Sequence, residues 1–465
     1  MCQLPALRLT LCTSDPGAFV DELFQIATDL ENDIDAFDGD GSRISSQLTQ
    51  LVTSATEAAG TSRGIKRRRS HSLEKYLPPP VRPQLPEKPK RTPSKRRKHN
   101  KRKSKKEADG PLVRQKTRVK LILKDNALLT GLRTEELPAA IGGYQALRYD
   151  ESMYKSAPAL NIEELRACGY ECIKWNGEDA RPLLDSSLRV IGCLAGRPRG
   201  NSWLRICKHV YDLMQFEAHP SRIQFRDKDK RHARGNYPAV NAGTSPGQGS
   251  SAPVNLSLDQ YEEMIVSLLS DEGVIDIAHF QSFCLRLWIP DLYDHFKTRL
   301  DQLFAHPKFG KPLKRITPAG VYPTVAFNFG PDVWTSRHRD AKNCAFGLCA
   351  VTALGDFNHE TSGHLVLDDL KLIIEFPSGS TILLPSATLT HANIPVGVGQ
   401  SRASFTQYCP GGLLRFVDQG FRTQVWMKNH AKKDYEVLMT ERSLLWKKGL
   451  ELYPTLDELL RRDNN

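Results

Sequence analysis

Residues 322–408 read YPTVAFNFGP DVWTSRHRDA KNCAFGLCAV TALGDFNHET SGHLVLDDLK LIIEFPSGST ILLPSATLTH ANIPVGVGQS RASFTQY. Short β-rich runs follow one another at 324–328, 346–353, 364–367, 372–376, 381–384 and 403–408. Turn residues separate them: Gly330-Pro331, Gly355-Asp356, Ser362-Gly363 and the stretch 377–379. Many short strands at nearly even spacing predict a sandwich or jelly roll rather than alternating strands and helices.

Outward from this stretch the pattern changes. Residues 256–304 are strongly helical and carry Trp288, and 162–167 is a shorter helix. Residues 118–124 alternate enough to predict a strand, and so do 190–194 before Gly196. The Gly-, Ser- and Pro-rich run 234–251 predicts a long loop, a type often functional inside a folded region. After Arg422 helical periodicity returns. The fold class expected is α+β, a double-stranded β-helix (jelly-roll) core braced by helices. Its parts are a mixed, helical segment at 111–320, the core at 321–422 and a helical tail at 423–465.

Two further segments precede these. In residues 1–60, Phe19, Leu23, Ile26, Leu30, Ile34 and Phe37 recur on one helical face after Asp15-Pro16. They predict short helices, either a hairpin packing on its own chain or a weak self-association element. Residues 61–110 hold 19 Lys and Arg against 4 Asp and Glu, with seven prolines from Pro78 to Pro93. Such a tract cannot bury enough apolar surface to fold and is expected to be a disordered basic linker. It suits nuclear import and loose contact with nucleic-acid phosphates. The whole chain carries +12, so the remainder is close to neutral.

The 465 residues are 40% hydrophobic, enough for one large or two ordinary cores. No apolar run approaches the ~18–20 residues of a membrane span, and the start lacks the pattern of a signal peptide, so no membrane partner is expected. Ten scattered cysteines contain no CxxC pair, which fits a reducing compartment and gives no support to a cysteine-built zinc site.

The chemistry concentrates in the β-rich stretch. His338-Arg-Asp340 places an imidazole and a carboxylate on one face of extended chain. Alone the pattern is uninformative, since the His and acid content gives about 1.5 chance matches. Beyond four more strand-like runs lies His391, which a jelly roll could return beside the first pair. Two His and one Asp then form the facial set that holds non-haem Fe(II) with open positions. Eleven residues further, Arg402 and Ser404 again share a face. A guanidinium beside a hydroxyl suits the distal end of a dicarboxylate, and a buried Arg402 would be costly without such a counter-ion.

From about Leu137 to Arg422 the chain resembles the fungal, transposon-associated branch of the TET/JBP 2-oxoglutarate- and Fe(II)-dependent dioxygenases. The resemblance is carried by the runs 327–330 (FNFG), 338–340 with Asn343, 346–357, 363–367 (GHLVL), 376–382 (FPSGSTI), 404–408 (SFTQY) and, upstream, 175–198. It implies that His338, Asp340 and His391 bind Fe(II), and that Arg402, Ser404 and His364 hold the 2-oxoglutarate co-substrate, with O2 as oxidant. It further implies a DNA partner carrying methylated bases, with Asn343 contacting the base and Tyr408 stacking on it. Where animal and protist relatives place a second base-reading histidine, eight residues past the arginine, this chain has Pro410. The activity implied is oxidation of 5-methylcytosine to 5-hydroxymethylcytosine. N6-methyladenine, a protein side chain, and a non-catalytic DNA-associated jelly roll remain the alternatives.

Overall fold

The computed structural model describes residues 81–85, 111, 113–122, 126–148, 159–247 and 250–462. The helices expected at 1–60 and nearly all of the basic tract at 61–110 lie outside them. The described residues fall almost wholly in one unit, 82–246 with 252–465.

Among the described residues, thirteen strands build two sheets: β1 (Leu128–Leu129), β2 (Glu171–Ile173), β3 (Arg181–Leu184), β4 (Val190–Gly196), β5 (Ala239–Ser245), β6 (Val254–Asn255), β7 (Thr324–Asn328), β8 (Cys349–Asp356), β9 (Leu365–Leu367), β10 (Leu372–Ile374), β11 (Thr381–Leu384), β12 (His391–Asn393) and β13 (Ser401–Tyr408). The large sheet runs β1-β3-β4-β11-β8-β13-β7-β5-β6, the small one β12-β9-β10-β2. Parallel pairs β1/β3 and β2/β10 make the architecture a mixed α+β one. From β8 onward the chain passes from the large sheet to the small one and back twice.

Alternation along the strands assigns the faces. On β13, Ala403 and Phe405 pack with Val325 and Phe327 of β7 against the helices Asn201–Glu217, Glu262–Ser270 and Glu272–Trp288, while Arg402, Ser404 and Thr406 point the other way into a pocket. On the small sheet Val366, Ile373 and Ala392 form an outer cluster with Leu165 of the helix Ile162–Ala167. Leu365, Leu367, Leu372 and Ile374 join the main core.

The helical region at 256–304 divides where its sequence carries signals. Asp271 caps the helix Glu272–Trp288, its carboxylate accepting from the Gly273 and Val274 amides. Pro290 opens the helix Pro290–Ala305 at a position where its missing N–H costs nothing. Of the described helices, none is long and apolar enough to cross a membrane.

Three expectations need correction. The strand expected at 118–124 is the helix Gln115–Ile122, whose Arg118 is buried and donates to the Arg462 carbonyl across 344 positions; tertiary packing overrides a weak alternation. The run 234–251 is not all loop, because it contains β5, paired with β7 from Ala239↔Asn328 to Gly243↔Thr324. Gly243 read as a loop residue, yet it marks a close backbone approach: a Cβ there would lie 2.2 Å from the Pro323 carbonyl oxygen, and its φ is +119°. The expected strand at 346–353 is shifted to β8, since the Gly347 amide donates to Cys344 O in a turn.

Candidate active site

His338 sits between β7 and β8 and pairs with the first residue of β12: the His338 amide donates to His391 O at 3.1 Å and the His391 amide to His338 O at 3.0 Å. This bridge joins two side chains 53 positions apart in sequence. The alternation expected of H-x-D holds around it. Arg337 forms an ion pair with Asp368 and Arg339 donates to Thr390 Oγ1, while His338 and Asp340 face the pocket.

The ligand atoms of His338, Asp340 and His391 lie within 4.8 Å of one another, a group that could hold a metal ion. Each imidazole is oriented by its other nitrogen. His338 Nδ1 donates to Ser336 O at 2.8 Å and His391 Nδ1 to Leu389 O at 2.9 Å. A carbonyl only accepts, so both Nδ1 atoms carry a proton, and Nε2 is the nitrogen each ring can offer to a metal. Burial, with His391 alongside, holds the His338 ring below its ordinary pKa and therefore neutral. Burial pushes the Asp340 carboxyl up, but the neighbouring imidazoles, the Arg234 guanidinium and a hydrogen bond with Ser386 outweigh it and leave it lowered. Arg234 Nη1 stands 4.0 Å from Asp340 Oδ1. Two imidazoles that present Nε2, beside a carboxylate held in its ionised form, are the donor set a divalent cation requires.

Arg402 lines the same pocket and is 1% exposed. Its Nη1 donates to Val333 O at 3.0 Å, its Nε has no partner, and no carboxylate among the described residues pairs with it. Burial lowers its pKa to about 10. Ser404 Oγ accepts from Asn328 Nδ2 at 2.9 Å, and Asn328 Oδ1 is itself unpartnered. The pocket thus holds an uncompensated buried cation with unused polar atoms around it, an arrangement that anticipates an anion.

Three expected residues are not among those lining the pocket. His364 is fully buried but does not line the pocket; its neighbour Leu365 does, and the charges it feels are those of Arg166 and His359. Asn343 closes the turn after Asp340, its amide donating to Asp340 O at 2.8 Å and its Nδ2 to Ser386 Oγ at 3.2 Å. Tyr408 continues the row of Arg402, Ser404 and Thr406 along β13, half-buried and within electrostatic range of Arg234 and Asp340. Pro410 pairs across a bridge with Asn343 and precedes the helix Gly411–Asp418.

Sequence reasoning missed Arg234 and Tyr237, which line the pocket from the segment leading into β5. The signal was present in the sequence as an arginine and a tyrosine on either side of Gly235-Asn236, but the run around them looked like loop.

No family model matches the chain, and no curated protein matches it. Among solved structures it is similar to NgTET1 in complex with 5mC DNA, with a TM-score of 0.36 and 13% identity, covering 54% of this chain and 92% of that one. At that level of similarity no residue role passes between the chains, and the chemistry must be read from the site itself.

Proposed function

We propose that the protein is a 2-oxoglutarate- and Fe(II)-dependent dioxygenase that oxidises the methyl group of a methylated DNA base, 5-methylcytosine in first place. The observation that carries this reading is a His–Asp–His donor set and a buried guanidinium without a counter-ion in one pocket. The alternation of β8 to β13 between two sheets supports a double-stranded β-helix core.

The residues present fit both groups. His338, Asp340 and His391 would hold the metal through Nε2, carboxylate and Nε2, leaving other positions open. Arg402 and Ser404 would bind the distal carboxylate of 2-oxoglutarate. Bound together with O2, iron and 2-oxoglutarate supply the oxidising power for an unactivated C–H bond. The chain's part is to orient the co-substrate, keep the imidazoles in one tautomer and exclude bulk water. A methyl group inside a duplex cannot reach a pocket between two sheets, so the base must be flipped out. Asn343 and Tyr408, adjoining Asp340, would meet it, with Tyr408 offering a stacking face.

The DNA assignment and the fungal TET/JBP affiliation rest on the sequence resemblance. The basic tract at 61–110 supports DNA affinity that falls with salt, and nuclear placement. The deciding experiment incubates the protein with Fe(II), 2-oxoglutarate and duplex DNA carrying 5-methylcytosine or N6-methyladenine, followed by nucleoside mass spectrometry. Hydroxymethylcytosine formed in step with succinate is the expected result. Succinate formation with neither base altered would remove DNA as the substrate, and absence of metal binding would remove the enzyme.

A further inference from the structure

We infer that Tyr237 is a co-substrate-binding residue whose hydroxyl shares the distal carboxylate of the dicarboxylate with Arg402; the inference rests on the reading of the pocket given above. Tyr237 lines that pocket, is 3% exposed, and its hydroxyl is buried with no hydrogen-bond partner. A phenol normally finds a partner when buried, so an orphaned one beside an orphaned guanidinium nitrogen marks a shared missing acceptor. Both groups line the same pocket, and the charges that the phenol senses there are those of Arg234, Asp340 and Arg402.

The ring is held in place independently of any ligand. The Tyr237 ring meets His232 edge to face, with centroids 4.6 Å apart at 85°, and His232 Nε2 approaches Tyr237 O at 3.1 Å. Gly235 also abuts the ring, since a Cβ there would come within 2.8 Å of the Tyr237 Cε1 atom. Glycine there lets the ring seat against the backbone. Packed against His232 and Gly235, the phenol loses little ordering entropy when it donates to an incoming carboxylate. The third polar contact that the sequence assigned to His364 is thus supplied from the stretch that precedes β5, since His364 does not line the pocket.

The test uses the full chain loaded with Mn(II) in place of Fe(II), so that binding is read without turnover. Metal and 2-oxoglutarate are titrated separately into wild type, Tyr237→Phe and Arg402→Lys, and into the double variant. Tyr237→Phe should weaken 2-oxoglutarate by about tenfold, the effect of losing one hydrogen bond to a charged group, with metal affinity and melting temperature unchanged. The double variant should lose less than the product of the single losses, because both groups serve one carboxylate. Equal 2-oxoglutarate affinity in wild type and Tyr237→Phe overturns the inference and leaves the dioxygenase reading intact. Wild type that binds Mn(II) but no 2-oxoglutarate overturns the reading beneath it as well. Strictly multiplicative losses assign the phenol to a different part of the ligand and overturn the shared-carboxylate proposal.

Discussion

Two groups of polar side chains line one pocket, and they are finished to different degrees. Around the triad His338, Asp340 and His391, every atom not aimed inward is already used: both Nδ1 atoms donate to main-chain carbonyls, and the flanking Arg337 and Arg339 are turned to Asp368 and Thr390. Around Arg402 the opposite holds, with the guanidinium Nε, the Tyr237 hydroxyl and Asn328 Oδ1 all left without partners. The first group is held in orientation by hydrogen bonds within the protein and presents an ionised carboxylate to an incoming cation. The second keeps a buried positive charge that only an incoming anion satisfies. The contrast suggests that the anion contributes to holding this part of the fold, whereas the cation is received by a site that already stands.

The largest effect expected is on metal binding. Asp340→Ala should weaken metal by more than the ~10–100-fold that loss of a mere supporting group costs, and abolish product formation; iron titration by absorbance or calorimetry measures it. Unchanged binding would move the metal away from the triad. Next, Arg402→Met should act with opposite signs. Without ligand it should melt at the same or a higher temperature, because a buried unpaired charge is gone. Its 2-oxoglutarate requirement should rise by about a hundredfold, the scale of a lost charge-assisted pair. Thermal melts with and without 2-oxoglutarate read both at once, and a variant destabilised without ligand would show that the two groups of side chains do not differ as described.

A smaller effect concerns His364, which burial holds down to about 4. The unfolded chain takes up that proton at its ordinary value near 6.5 and the folded chain does not. Stability is therefore full above pH 6.5 and falls progressively as the pH drops towards 4. His364→Phe should flatten this part of the acid-unfolding curve while leaving 2-oxoglutarate affinity unchanged. A raised 2-oxoglutarate requirement would bring His364 back to the pocket. Smallest of all, Ser404→Ala should raise that requirement by only about three- to fivefold, because Asn328 Nδ2, which donates to Ser404 Oγ, is freed to donate to the carboxylate in its place.

Much of the site was legible because it lies on alternating strands. His338 with Asp340, and Arg402 with Ser404, needed only the two-residue period of extended chain, and β7 and β11 have the expected bounds. What that period could not supply was phase. His364 opens an apolar run, and nothing local says whether it or Leu365 turns inward; one position moves a side chain to the other face. Pairing of β9 with β10 and β12 decides it. Tyr237 and Arg234 were hidden for a different reason. Their segment is rich in residues that favour loops, and β5 exists because β7 offers an edge almost 90 positions later. The helix Gln115–Ile122 likewise depends on a partner at the far end of the chain.

The position of β13 has a consequence for how the molecule comes into being. It is the last strand in sequence yet sits between β8 and β7. Until it emerges from the ribosome the large sheet exists only as two halves, β1-β3-β4-β11-β8 and β7-β5-β6, each with an open edge. Insertion of this strand closes the barrier between them and carries Arg402 into the interior in the same event. Nascent chains stalled before residue 401 should thus expose both edges to chaperones and proteases, and protection should arrive abruptly rather than by degrees.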